Sequence, residues 1–278
     1  MHSKHLATTE DPPVEAKGPP HPFPSPNHPV WYARCVTREL DFAGVEKLLK
    51  EAKFEDCKLL WSSSNYVYLA ILCASEGEQV AAVYKPESGE TPLWDFPGGL
   101  YRREVAAYEL SKLIGWNFVP PTVVRDGPKG IGSLQLYVEH DRNSHFFEQR
   151  ETENLIPQLK RMAVFDYVTN NADRKGGHCL LDEQGRIWGI DHGLCFHTDY
   201  KMRTVIWDWA EDPIPQQWLD DVSALAVTLE AAGDDIAPLR EFLEEDELDH
   251  MVERAEDIVK SAQFPIPGPH RSYPWPLV

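Results

Sequence analysis

The chain has 278 residues, a net charge of −18 and 42% hydrophobic residues. That length fits one large domain or two lobes around a real core. The negative balance argues against nucleic acid and against a general electrostatic grip on anionic membrane. No run of 18 apolar residues is present, so no integral membrane segment is expected.

Residues 1–29 are rich in Pro, Glu and His and have no apolar stretch. They read as a disordered tail, not as a signal peptide. Five cysteines are scattered without C-x-x-C spacing. With no export signal, reduced thiols and a cytoplasmic location are expected. Phe42 to Ala52 has helical spacing through Val45, Leu48 and Leu49. Cys57–Trp61, Tyr66–Cys73 and Gln79–Lys85 read as an antiparallel meander, its first two strands joined by Ser62-Ser63-Ser64-Asn65. Arg102 to Ile114 predicts an amphipathic helix, with Ala106, Ala107, Leu110 and Leu113 apolar and Gly115 as its stop. Pro120–Val124 and Ser133–Val138 supply two more strands across a Gly/Pro turn. Residues 30–140 are therefore expected to form a small nucleotide-binding lobe of α+β character.

Beyond His140 the pattern turns helical. Leu155–Asn170, Pro215–Ala232, Asp235–Leu243 and Glu247–Ala262 predict the helices of a second lobe over residues 141–263. Residues 264–278 hold five prolines and no period, and read as a tail able to pack across the surface. From Glu211 to Asp257 acids outnumber bases, with Glu244-Glu245-Asp246-Glu247 the densest run. A solvated helix face is the ordinary explanation; a docking surface for a basic partner is the alternative.

The most informative stretch is Asn171-Ala172-Asp173-Arg174-Lys175, followed by Ile190-Asp191-His192-Gly193. Between them, Cys179 to Ile190 reads as apolar strand, Asp/Gly turn, apolar strand. The spacing places two carboxylates, Asp173 and Asp191, at the two ends of a short hairpin. Phosphoryl transfer needs such a pair: one orients the acceptor hydroxyl and the other holds the cation that bridges the phosphates.

The runs Phe165-Asp166-Tyr167-Val168-Thr169-Asn170-Asn171-Ala172-Asp173-Arg174 and Ile190-Asp191-His192-Gly193-Leu194-Cys195-Phe196 resemble the phosphatidylinositol 3/4-kinase-like branch of the protein-kinase fold. HipA-type and Fam20-type kinases are its relatives, and an actinobacterial group is the nearest in kind. The resemblance covers residues 60 to 210. It implies an α+β, two-lobed kinase-like fold with ATP in the cleft near residues 138–141, Glu139 included. It implies that Lys85, in Val83-Tyr84-Lys85-Pro86, reaches the phosphates and is oriented by Glu104, with Glu109 as a rival. Ser63, Ser64 and Asn65 stand where related kinases cover the phosphates, although an ordinary polar hairpin turn explains them equally.

By the same resemblance Asp173 is the catalytic base, Lys175 neutralises the transferred phosphate and Asp191 holds Mg²⁺ or Mn²⁺. The bland alternatives are a turn aspartate and an exposed loop lysine. Asp166, on the buried face with Met162, and Arg174 are expected to brace the loop, because a buried carboxylate must be hydrogen-bonded. His178 departs from the family, which carries Asn as second metal ligand there; imidazole favours Mn²⁺ over Mg²⁺. His178, Cys179, His192, Cys195 and His197 also permit a zinc reading, but residues 178 and 179 point to opposite strand faces and the spacing fits no zinc pattern. Lys201 and Arg203 could meet an anionic acceptor or simply be solvated.

The expected reaction moves the γ-phosphate of ATP to a hydroxyl of an inositol- or sugar-type small molecule, a lipid headgroup or a protein Ser/Thr. The alternatives are a nucleotide-binding pseudokinase regulator, suggested by His178, and a kinase-fold AMP transferase.

Overall fold

The computed structural model describes residues 41–60, 65–75, 77, 79–269 and 271–278. The Pro-rich stretch 1–29, Ser63 and Ser64 lie outside the described residues.

Helix α1 (Phe42–Glu51) leads into five strands: β1 (Lys53–Leu60), β2 (Val67–Cys73), β3 (Gln79–Pro86), β4 (Thr122–Gly127) and β5 (Gly130–Leu136). Between β3 and β4 runs helix α2 (Leu100–Leu113). The sheet order is β1-β2-β3-β5-β4, and every described pairing is antiparallel. Its core is Leu72, Ala82, Tyr84 and Leu134 against Val45 and Leu49 of α1. Leu49 is fully buried, so trimming it to Ala would cost about 2–5 kcal/mol.

β1 begins at Lys53, before the expected Cys57, because the charged run Lys53-Phe54-Glu55-Asp56 conceals it. β1 is an edge strand, where charged side chains block pairing with another chain. β5 begins at Gly130, before the expected Ser133. Gly132 is the reason for the concealment and also the requirement: a Cβ there would lie 2.3 Å from the Lys85 carbonyl oxygen. The close pairing of β3 and β5 at Pro86 and Gly132 has no room for a side chain.

The remainder is mainly helical. It contains α3 (Phe146–Gln149), α4 (Ile156–Val168), the two-stranded hairpin β6 (Cys179–Leu181) and β7 (Ile187–Gly189), then α5 (Gln216–Ala231), α6 (Ala237–Arg240) and α7 (Glu245–Ser261). The expected helix over 235–243 is split. A single turn at Asp234–Ile236 precedes α6, which restarts with Pro238 in its first turn, the one place a helix accepts it. α3 carried no sequence signal. Leu159, Met162, Phe165, Val222, Leu225, Met251 and Ile258 from α4, α5 and α7 form the main core. The acidic run at 244–247 is not a purely solvated face. Glu244 and Glu247 close a capping box on α7, and Glu247 is buried in a bond with Arg103 of α2. Carboxylates at a helix start are favoured by its positive end.

Candidate active site

Strand β3 delivers Lys85 to the inner side of the sheet, and α2 delivers Glu104 opposite it. Lys85 Nζ bonds to Glu104 Oε1 and lies 2.7 Å from Asp191 Oδ1. Glu104 is buried, and its other oxygen accepts from the His192 backbone N–H at 2.9 Å. Glu109, the rival, pairs instead with Lys112 on the outer face. Burial works against the charge on Lys85, but Asp191 and Glu104 beside it outweigh that and hold it firmly charged. Burial pushes the Glu104 carboxyl up, against the pull of Lys85. Burial also opposes ionisation of Asp191, yet Lys85 and His178 beside it hold its carboxyl well below the usual range.

Asp191 follows β7 with φ of 61°. A left-handed backbone at a non-glycine residue is uncommon, and such residues cluster where function needs an unusual aim. His178 closes a single 3₁₀ turn over Gly176–His178, immediately before β6, and places Nε2 3.1 Å from Asp191 Oδ2. Burial pushes the His178 imidazole down to about 4. It is therefore neutral near pH 7, with Nδ1 accepting from the Lys175 N–H at 3.4 Å and Nε2–H donating to the Asp191 carboxylate at 3.1 Å.

Asp173 sits in the loop after α4, where its carboxylate meets Lys175 Nζ at 2.9 Å. Burial raises the Asp173 carboxyl, and Lys175 pulls it back. A raised carboxyl is closer in affinity to the proton it would accept. The loop is fixed from below. Arg174 and Asp166 are both 0% exposed and paired at 2.9 Å, and Asn171 adds a bond to Asp166 at 3.0 Å. Arg174 further donates to the Ile190 carbonyl at 2.8 Å and meets His192 Nε2 at 2.7 Å. The His192 ring must accept there, and burial with Arg174 alongside keeps it neutral.

Not every expected residue joins this group. Asn65 accepts a bond from the Thr91 N–H at 2.9 Å, tying the β1–β2 connection to the segment after β3. Glu139 is exposed in the connection after β5. Lys201 and Arg203 both approach Asp95, at 3.6 and 3.8 Å. Asp95 carried no sequence signal, since it lies more than a hundred residues from its partners. Among the described residues no three His, Cys, Asp or Glu side chains gather as a metal group, which leaves the zinc reading without a centre. Cys57, Cys73, Cys179 and Cys195 are all free. No described helix is long and apolar enough to cross a membrane.

A divalent cation of the Mg²⁺ type needs only one or two protein ligands, because phosphate oxygens and water complete its shell. Two neighbouring ligand atoms on such an ion stand about 3 Å apart, given bonds of ~2.1 Å. His178 Nε2 and Asp191 Oδ2, 3.1 Å apart, contact each other directly, and a cation held by both would take the place of the imidazole proton. The donor set thus suits a phosphate-bridging cation and is too sparse for a site closed by protein alone.

The architecture is that of the protein-kinase-like fold. A Fam20 structure from hydra with sugar has a TM-score of 0.53 at 15% identity, over 81% of this chain and 89% of that one. The Golgi casein kinase with Mn/ADP bound has a TM-score of 0.50 at 12% identity, over 85% and 80%. Residues 121–233 match the family described as phosphatidylinositol 3- and 4-kinase. Protein Rv2133c of Mycobacterium tuberculosis (strain ATCC 25618 / H37Rv) is 41% identical over 229 residues, 70% of this chain and 81% of that protein. Phosphatidylinositol 4-kinase gamma 4 of Oryza sativa subsp. japonica is 29% identical over 170 residues, 48% of this chain but 30% of that longer protein. The chain belongs to the phosphatidylinositol 3/4-kinase-like family, in a group with the mycobacterial protein. Family and fold together support a kinase-type phosphotransferase.

Proposed function

We propose that the chain moves the γ-phosphate of ATP to a hydroxyl acceptor. The observation that carries this reading is the convergence of Lys85, Glu104 and Asp191 in one bonded cluster. Lys85 would hold the α- and β-phosphates and Glu104 would keep it aimed. Asp191 and His178 would hold Mg²⁺ or Mn²⁺, which when bound neutralises charge on the phosphate oxygens. Asp173 accepts the proton of the acceptor hydroxyl as its oxygen bonds to the γ-phosphorus. The bond from that phosphorus to the β–γ bridging oxygen breaks, and ADP leaves. Lys175, 2.9 Å from Asp173, would meet the charge on the transferring group.

Neutral imidazole beside Asp191 supports a preference for Mn²⁺. His178→Asn should restore ordinary Mg²⁺ use. Identical metal preference in both proteins would remove His178 from the cation site.

The acceptor is proposed as an inositol- or sugar-type alcohol, a lipid headgroup or a protein Ser/Thr, handled in the cytoplasm. The small-lobe and helical-lobe limits, 30–140 and 141–263, are proposed with it. Product mass tests the reaction. A gain of phosphate on the acceptor is expected; a gain of AMP would make the chain a nucleotidyl transferase. No product, with ATP bound, would make it a regulator.

A further inference from the structure

The stretch after α7 is made to be rigid and is fastened to the loop that carries the candidate catalytic groups. Five prolines in 264–278 favour an extended backbone that loses little freedom on docking. Phe264 is buried and exchanges backbone bonds with Glu211 and Asp212, both at 3.0 Å. Further along, the Ser272 carbonyl accepts from the Thr204 N–H and from Trp207 Nε1, each at 3.1 Å. The Leu277 carbonyl then accepts from the Gly176 N–H at 2.7 Å.

Gly176 needs that bond. It belongs to the 3₁₀ turn that starts beside Lys175 and ends on His178. Two adjacent glycines, Gly176 and Gly177, lose more freedom on ordering than any other pair of residues. Gly176 is also buried, and a buried N–H left without an acceptor is costly. The fit is close: a Cβ on Gly176 would lie 3.3 Å from the Phe147 ring and 3.4 Å from the Leu277 oxygen. The other side of the loop is held by bonds from the Arg203 N–H to Asn171 and from the Val205 N–H to Arg174, at 2.9 and 3.0 Å. The segment between them, Thr204, is the one that Ser272 grips.

The tip of the stretch buries little. Trp275, Leu277 and Val278 are 77%, 39% and 53% exposed, so backbone bonds, not apolar packing, hold it. Its attachment thus contributes to the shape of the loop far more than to the stability of the fold.

We propose that residues 271–278 are a positioning strap. The Leu277 carbonyl fixes the Gly176–Gly177 turn and so sets Lys175 beside Asp173 and His178 beside Asp191. This rests on the phosphotransfer reading above. The strap holds the turn that carries Lys175 and His178, so it acts on turnover directly and on nucleotide only through the cation site.

The test is deletion of Leu277 and Val278 from the full chain, a change too exposed to threaten folding. Phosphate release from Mn²⁺-ATP, with water as acceptor, reads turnover without an identified substrate. Amide hydrogen exchange reads the turn. The deletion is expected to leave Tm within about 2 °C and to raise KM for ATP by less than it lowers kcat. It should lower kcat at least tenfold and speed exchange at Gly176. Val227→Ala, at an exposed position of α5 outside the strap, should change none of these. Unchanged or increased kcat in the deletion overturns the strap and leaves the phosphotransfer reading standing. No turnover in the intact protein with either Mn²⁺ or Mg²⁺ overturns that reading, and the strap's role with it.

Discussion

Two acid–base clusters meet at His192 and are built to opposite ends. Arg174 and Asp166 are sealed, both 0% exposed, and the carboxylate accepts from Arg174 Nε, Arg174 Nη2 and Asn171 Nδ2. Lys85 and Asp191 are 23% and 43% exposed, and among the described residues Asp191 accepts from Lys85 and His178. The first cluster has used its hydrogen-bonding capacity on the protein. The second is left partly exposed. A sealed pair defines a shape and costs dearly when broken; an open pair is free to exchange a protein partner for a ligand.

The comparison breaks most visibly at Asp166. Asp166→Ala strands the Arg174 guanidinium in the core and is expected to cost about 3–5 kcal/mol. That lowers Tm by roughly 10 °C in a chain of this size. A fall of under about 3 °C in thermal denaturation would show that water reaches the pair. Asp191→Asn should do the reverse. Stability changes by less than about 1 kcal/mol, while the stabilisation by Mn²⁺-ATP disappears and turnover falls at least ~10³-fold. Equal stabilisation of variant and parent by Mn²⁺-ATP would move the cation elsewhere.

Asp173→Asn sharpens the contrast within the open side. Nucleotide stabilisation is retained and kcat falls about 10²–10⁴-fold, as for loss of a general base. Parallel loss of binding would make Asp173 a ligand or a brace.

The smallest effect lies far from the cleft, at Glu46. Burial would raise its carboxyl, but Tyr108 and Lys112 bond to it and bring it below the usual value. A lowered carboxyl stabilises the fold above the unfolded value of 4.5 and loses that contribution as pH falls through the folded one. Glu46→Gln should therefore lower stability at pH 7 by no more than about 1 kcal/mol, given solvent screening. The gap should close toward pH 3. A gap that persists in acid would rule out ionisation as its source.

The parts of the site that are local in the chain are legible in the sequence. Cys179–Leu181 and Ile187–Gly189 form a short hairpin, so Asp173 and Asp191 fall near its two ends by spacing alone. The inward position of Glu104 follows from the apolar period of its helix, and the bond to Lys85 uses it. What sequence reading misses is non-local. Asp95 meets Lys201 and Arg203 only because two distant loops cross. The Leu277–Gly176 bond is made by backbone atoms, which leave no trace in side-chain identity. β1 is recognised only from Cys57 onward, because an edge strand tolerates the charges over 53–56 that a central one excludes. The acidic run at 244–247 looks solvated until Arg103 is placed against Glu247.

Gly132 has one more implication, for how the chain reaches this state. Because only glycine fits against the Lys85 carbonyl, a slip of one residue between β5 and β3 would drive Ile131 or Ser133 into that contact. Misaligned pairing is thus rejected during assembly, before any nucleotide is met. A sheet that has closed has, by the same event, set its lysine at the correct height. The contact works as a proofreading step written into folding.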